Sequence, residues 1–163
     1  FVSKKIGINP KLILSGRSIN DTMYKQIISR LKQISKQKGI NFKNSKILIM
    51  GYSFKENCPD IRNSKIIDLI KELKNWGLDV CIVDPWANEE ELKRNHGIEL
   101  NRIEDICGVD SIISAVGHKQ FRDLSADELK DLCKSGISPI MGDVKSIHNK
   151  EDLENIGFTV FRL

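Results

Sequence analysis

Apolar residues recur along this chain with two different periods. Ile19, Met23, Ile27, Leu31 and Ile34 return at helical spacing, and Gly39 stands where a left-handed residue ends a helix, so one amphipathic helix is predicted over 18–38. From Lys46 onward, short apolar runs alternate with helical stretches, the signature of a parallel sheet with crossover helices. Strands are expected at "KILIMGY", "DVCIVD", "DSIISAVG", "SPIMGDV" and "FTVFRL", with a weaker one near Ile98 to Leu100. Between them fall helices over about 61–75 and at "NEEELKRN", "RIEDICG", "SADELKDLCK" and "NKEDLENIG". In "SADELKDLCK", Ser125 with Glu128 three residues on forms a capping box. The expected fold is α/β: a Rossmann-like, doubly wound, mostly parallel sheet preceded by a long amphipathic helix. That helix needs its apolar stripe covered, either by the sheet domain or by a second subunit.

Composition narrows the class. With 163 residues, 40% hydrophobic and 29% charged, the chain can bury one ordinary core and shows no sign of disorder. Its longest apolar runs are far shorter than the roughly 20 residues that cross a bilayer, and no signal peptide opens it, so no membrane association is expected. A net charge of +4, with lysines spread along helices beside acids, describes a solvated surface rather than a nucleic-acid footprint. Four cysteines without a CxxC fit free thiols in the cytoplasm, and three scattered histidines give no metal-ligand spacing. The chain starts at Phe1, inside what reads as continuing structure, which suggests a piece of a longer protein.

In an open doubly wound sheet, ligands bind beyond the carboxyl ends of the strands, where helix N-termini present N–H donors. That rule selects Tyr52 to Lys55, Pro85-Trp86, Gly117-His118 and Asp143 to Lys145. Lys55 and Arg62 flank the start of the helix predicted over 61–75, where Pro59 suits the first helical position and Asp60 the positive end of the dipole. Together with Lys145 across the sheet, these cations are expected to converge on one hollow and receive a phosphate. The competing reading is that they cap a helix and pair with one another. A dinucleotide is disfavoured. "GYSFK" carries one glycine where G-x-G-x-x-G needs three, and Tyr52 and Phe54 crowd the turn, leaving Asp84 weak support as a ribose acid. A mononucleotide portion, with the aromatics against a base or sugar, is the better expectation.

"FKENCPDIRNSKIIDLIKEL" followed by "VDP", with "GRSIND" upstream, resembles the C-terminal, nucleotide-sugar-binding part of the UDP-glucose/GDP-mannose dehydrogenase family. The resemblance implies an NAD-binding domain before this chain and a central helix that makes a homodimer, of which residues 1–40 would be the end. It makes 41–163 the nucleotide-sugar-binding domain. It implies oxidation of a sugar C6 alcohol to a carboxylate in two NAD-dependent steps, through a thiohemiacetal on a cysteine. By position, Phe54, Lys55 and Lys145 match substrate-binding residues, and Arg62 matches the arginine that reaches towards NAD. Arg17 and Asn20 match a signature whose role is an interface or the substrate. The loop is closest to the versions in UDP-N-acetylglucosamine and UDP-N-acetylgalactosamine 6-dehydrogenases, which implies an amino-uronic acid for surface polysaccharide.

The family's catalytic cysteine lies in a G-G-H-C-like motif upstream of a stretch resembling "FVSKKIGINPKLI", so no catalytic residue is expected here. Cys58, beside Lys55, is either an activated thiol or part of a helix cap, and the cap is preferred. His118 is either a general base at the crevice mouth or an ordinary surface-loop histidine, the commoner case. A different class of function, a non-enzymatic nucleotide-binding or scaffold module, is compatible with the same shell.

Overall fold

The computed structural model describes residues 11–40, 43 and 45–163, with side chains from Thr22 onward. Its elements are α1 (Lys11–Lys38), β1 (Lys46–Met50), α2 (Ile66–Asn75), β2 (Asp79–Val83), α3 (Glu89–His96), a 3-10 turn (Ile103–Asp105), β3 (Ser111–Ser114), α4 (Lys119–Arg122), α5 (Ala126–Asp131), β4 (Ile140–Asp143), α6 (Lys150–Asn155) and β5 (Thr159–Phe161). The strands form one sheet in the order β2-β1-β3-β4-β5, and every pairing is parallel. The winding reverses between β1 and β3, which opens a crevice at the carboxyl ends of those two strands.

Alternation along the buried strands feeds two cores. Ile47 and Ile49 of β1 pack with Ile27 and Leu31 of α1, Leu69 and Leu73 of α2 and Leu92 of α3. Leu48 and Met50 face the other way, onto Phe121 of α4, Leu129 of α5 and Leu153 of α6. Each of these side chains is at most 2% exposed, and burying one contributes about 1.5–3 kcal/mol. The apolar stripe of α1 is thus covered by the sheet domain from Ile27 onward, with Met23, Tyr24 and Ile34 packed at its margin. The side chains of Arg17, Ile19 and Asn20, and residues Asn9 and Pro10, lie outside the described ones.

Local chemistry accounts for the boundaries. α1 ends as expected, with Gly39 at φ 64°, its N–H on the Lys36 carbonyl and the Ile40 N–H on the Ser35 carbonyl. It begins at Lys11, earlier than the apolar pattern indicated. The capping box of α5 is present in full. Two expectations fail. α2 starts at Ile66 rather than near 61, because Asn63 takes a left-handed conformation (φ 59°) that a helix excludes; Pro59 and Asp60 therefore sit in the preceding loop, not at the helix start. Ile98 to Leu100 is not a strand. Instead Asn101 closes on the edge of the sheet, its N–H donating to the Ile82 carbonyl (2.7 Å) and its Oδ1 accepting from the Ile82 N–H (2.9 Å). One residue's main chain and side chain together thereby replace a ladder.

The end of β1 is fixed by Gly51, whose N–H donates to the Val83 carbonyl (2.8 Å) and whose φ is 96°. A Cβ there would stand 2.4 Å from Val116 Cβ, so both conformation and space require glycine. Gly51→Ala is expected to lower stability by about 2–4 kcal/mol, read as a lower urea midpoint at unchanged slope.

Candidate functional site

Four loops meet at the carboxyl ends of β1 to β4, and one buried carboxylate ties the first three together. Asp84, the residue after β2, is 7% exposed. Its Oδ2 accepts from the backbone N–H groups of Tyr52 (2.7 Å) and Ser53 (2.8 Å), and its Oδ1 from those of Trp86 and Ala87 (both 2.8 Å). His118 Nε2, from the loop after β3, lies 3.2 Å from Oδ2. Burial alone would raise this carboxyl, but hydrogen bonds from His118 and from the N–H groups of Ser53, Tyr52 and Trp86 outweigh it, holding Asp84 well below the usual carboxylate range. With both oxygens occupied by protein donors, Asp84 has no capacity left for a ribose.

His118 is not a surface residue. It is fully buried, with Nδ1 accepting from the Asn57 N–H (2.9 Å) and Nε2 3.0 Å from Ser53 Oγ. Since Nδ1 accepts, the neutral ring carries its proton on Nε2, where it faces Ser53 and Asp84. Asn57, left-handed at φ 54°, returns the contact by accepting the Lys119 N–H on its Oδ1 (2.9 Å). Ser53 and Asn57, on either side of Phe54 and Lys55, are thus both sewn to the loop after β3.

Beside this knot is a hollow of about 260 Å³, lined among others by Phe54, Lys55, Asn63, Val116, Lys145 and Met23. Phe54 is 56% exposed and Lys55 is exposed, so the tip of the first loop offers an aromatic face and an ammonium to solvent. Lys145 arrives from the loop after β4. Asp143 shapes that loop, accepting the N–H groups of Ile147 (3.0 Å) and His148 (3.3 Å) and pairing with Arg162 (3.1 Å); Ser146, left-handed at φ 53°, makes the turn.

Two of the three expected cations therefore share one hollow, and the third does not. Arg62 is 78% exposed and folded onto Asp60, which accepts from its Nε (2.9 Å), NH2 (2.8 Å) and backbone N–H (2.9 Å). The Arg62 side-chain hydrogen bond is the main reason the Asp60 carboxyl is lowered to about 2. Here the paired-cap reading describes Arg62, while Lys55 and Lys145 line the same hollow. Tyr52 also departs from expectation. It is buried in the core beside His96, its hydroxyl pushed up to about 12 by burial and by Asp68, and of the two aromatics Phe54 alone lines the hollow. Cys58, half-buried, does not line the hollow.

Residues 48–150 match the model of the UDP-glucose/GDP-mannose dehydrogenase family, UDP binding domain. The chain belongs to this family. It is 42% identical over 132 residues to the UDP-N-acetyl-D-glucosamine 6-dehydrogenase of Salmonella typhi, covering 81% of this chain and 31% of that protein. It is 36% identical over 162 residues to Protein CapL of Staphylococcus aureus, covering 99% of this chain and 37% of that one. Among solved structures, the NDP-N-acetyl-D-galactosaminuronic acid dehydrogenase of Methanosarcina mazei superimposes with a TM-score of 0.81 at 21% identity, over 91% of this chain and 30% of that one. The UDP-D-ManNAc dehydrogenase of Pyrococcus horikoshii gives 0.74 at 19%, over 94% and 34%. At those identities the likeness shows the fold: an all-parallel, Rossmann-like α/β sheet. The chain spans about a third of the length of the curated relatives it matches.

Sequence reasoning missed Ser53, Asn57 and the structural duties of Asp84 and His118. The signal available was an aspartate directly after a buried strand, which suits a ribose and a backbone knot equally. Because Asp84 is held low, its contribution to stability is present above about pH 4 and is lost as pH falls towards the folded-state value. Asp84→Asn is expected to cost about 3 kcal/mol at pH 7 by stranding buried donors. Chemical denaturation at pH 7 and pH 3 should show the gap to wild type narrowing at the lower pH.

Proposed function

We propose that this chain is the UDP-sugar-binding part of an NAD-dependent nucleotide-sugar 6-dehydrogenase. The intact protein would oxidise the C6 alcohol of a UDP-N-acetylhexosamine, UDP-N-acetylglucosamine or UDP-N-acetylgalactosamine, to the uronic acid, for surface polysaccharide. The observation that carries this reading is the placement of Lys55 and Lys145 on one hollow from opposite sides of the winding reversal, beside exposed Phe54. Two ammonium groups there suit a diphosphate, and an aromatic face at the lip suits a base or sugar. The names of the Salmonella and Methanosarcina relatives support an N-acetylated sugar.

The hollow, at about 260 Å³, lies below the roughly 300–1,000 Å³ of complete small-molecule sites. That size supports a half-site, completed by the rest of the protein. On this reading NAD is held mainly outside the chain, and Arg62, projecting from the rim, turns from Asp60 to the cofactor's pyrophosphate; its planar fork suits such a partner. The chemical step belongs to a cysteine outside the chain. The N-terminal half of α1, with Arg17 and Asn20, is assigned to a homodimer interface, since the sheet already covers the C-terminal half. A cytoplasmic setting agrees with the four free thiols.

Calorimetric titration of this chain with UDP is expected to give millimolar or tighter binding that weakens with salt. Lys55→Ala and Lys145→Ala should each weaken it about tenfold or more, and Arg62→Ala less than about twofold. Folded protein that ignores UDP would sink the reading. Titration with GDP, UDP-N-acetylglucosamine and UDP-N-acetylgalactosamine ranks the candidates for base and sugar.

A further inference from the structure

We infer that His118 is a positioning residue that holds Lys55 at the UDP hollow through Ser53, a role that deepens the proposed function and rests on it. The hydrogen bonds run in one direction. The Asn57 N–H donates to His118 Nδ1 (2.9 Å), which leaves the ring proton on Nε2. That proton faces Ser53 Oγ at 3.0 Å and Asp84 Oδ2 at 3.2 Å. The Ser53 hydroxyl in turn donates to the Lys55 carbonyl (3.3 Å). His118 thus grips the loop at two points, Asn57 beyond Lys55 and Ser53 before it, and reaches the backbone of Lys55 itself. Outward contacts alone do not fix this loop: Phe54, Lys55 and Glu56 are all exposed.

A fully buried imidazole with both nitrogens engaged, which does not itself line the hollow, has no path to a substrate atom in this chain. It acts through others. Asp84 restricts the ring from the far side and takes the two N–H groups at the root of the same loop, so the loop's base and tip are fixed by one connected network. Fixing the backbone from which Lys55 projects before the ligand arrives lowers the ordering cost of binding, which would otherwise include the loop as well as the side chain.

The decisive measurement is a double-mutant cycle read by UDP titration of the chain. His118→Asn keeps an acceptor for the Asn57 N–H, but its shorter side chain places no donor at the Nε2 position that faces Ser53 and Asp84. It is expected to weaken UDP about fivefold to tenfold in the wild-type background and less than about twofold in a Lys55→Ala background, since the two act through one contact. Equal losses in both backgrounds, or none in the wild type, would overturn the proposal. Ser53→Ala, which leaves every Asp84 backbone bond in place, serves should His118→Asn fail to fold, with the same expectation. A ligand-independent reading comes from NMR: imidazole nitrogen shifts should report the Nε2–H tautomer, and amide exchange over 53–57 should quicken in either variant while the strands stay protected. Unchanged exchange refutes the positioning role even where UDP binds, whereas quickened exchange in a chain that ignores UDP refutes only the functional reading.

Discussion

The rim of this sheet is organised around one desolvated negative charge. A carboxylate placed just past the end of β2 is unfavourable in isolation, because burial removes its water. It becomes favourable only when donors surround it, and the chain supplies them from three loops: Tyr52 and Ser53, Trp86 and Ala87, and His118. The same requirement that keeps Asp84 satisfied therefore closes the loops against one another. Removing any partner leaves either an unpaired charge or unpaired N–H groups, so the arrangement tolerates little variation.

Asp143 repeats this logic at the end of β4. It is fully buried, accepts two N–H groups from the loop that follows and pairs with Arg162 from beyond β5. The hollow lies between these two anchored loops; the first contributes Lys55 and Lys65 to it and the second Lys145. Buried negative charge underneath and mobile positive charge on top is a sound electrostatic division. Asp84 and Asp143 are spent on backbone N–H groups, His118 and Arg162, and neither is paired with Lys55 or Lys145.

Most of the scaffold was legible in the residues. Period and apolar runs located the five strands, the long helix with its Gly39 stop and the capping box of Ser125, because these depend on local chemistry and burial. What misled was equally local. "GIEL" reads as a strand by composition, yet a tertiary contact by Asn101 decides its fate. Pro59 and Asp60 read as a helix start, but Asn63 delays the helix through a backbone angle that composition does not reveal. For the site, Lys55 and Lys145 could be placed by the strand-end rule alone, since both lie on loops whose direction the sheet dictates. Arg62 could not, because its partner Asp60 stands two residues away and captures it. His118 was misjudged for the reason that makes it interesting: a histidine after a strand is ordinarily wet, and only the contacts of Asn57 and Ser53 show it to be enclosed.

The seal that Asn101 places on Ile82 bears on how the protein behaves in a crowded solution. A sheet that is not closed into a barrel has two exposed flanks, each a template on which a stray chain can stack and seed aggregates. On the β2 flank, the amide side chain and the main chain of Asn101 already occupy both groups of Ile82 that a newcomer would seek, and on the opposite flank β5 is only three residues long. A polypeptide with so little free template at either margin is guarded against strand-to-strand stacking with copies of itself.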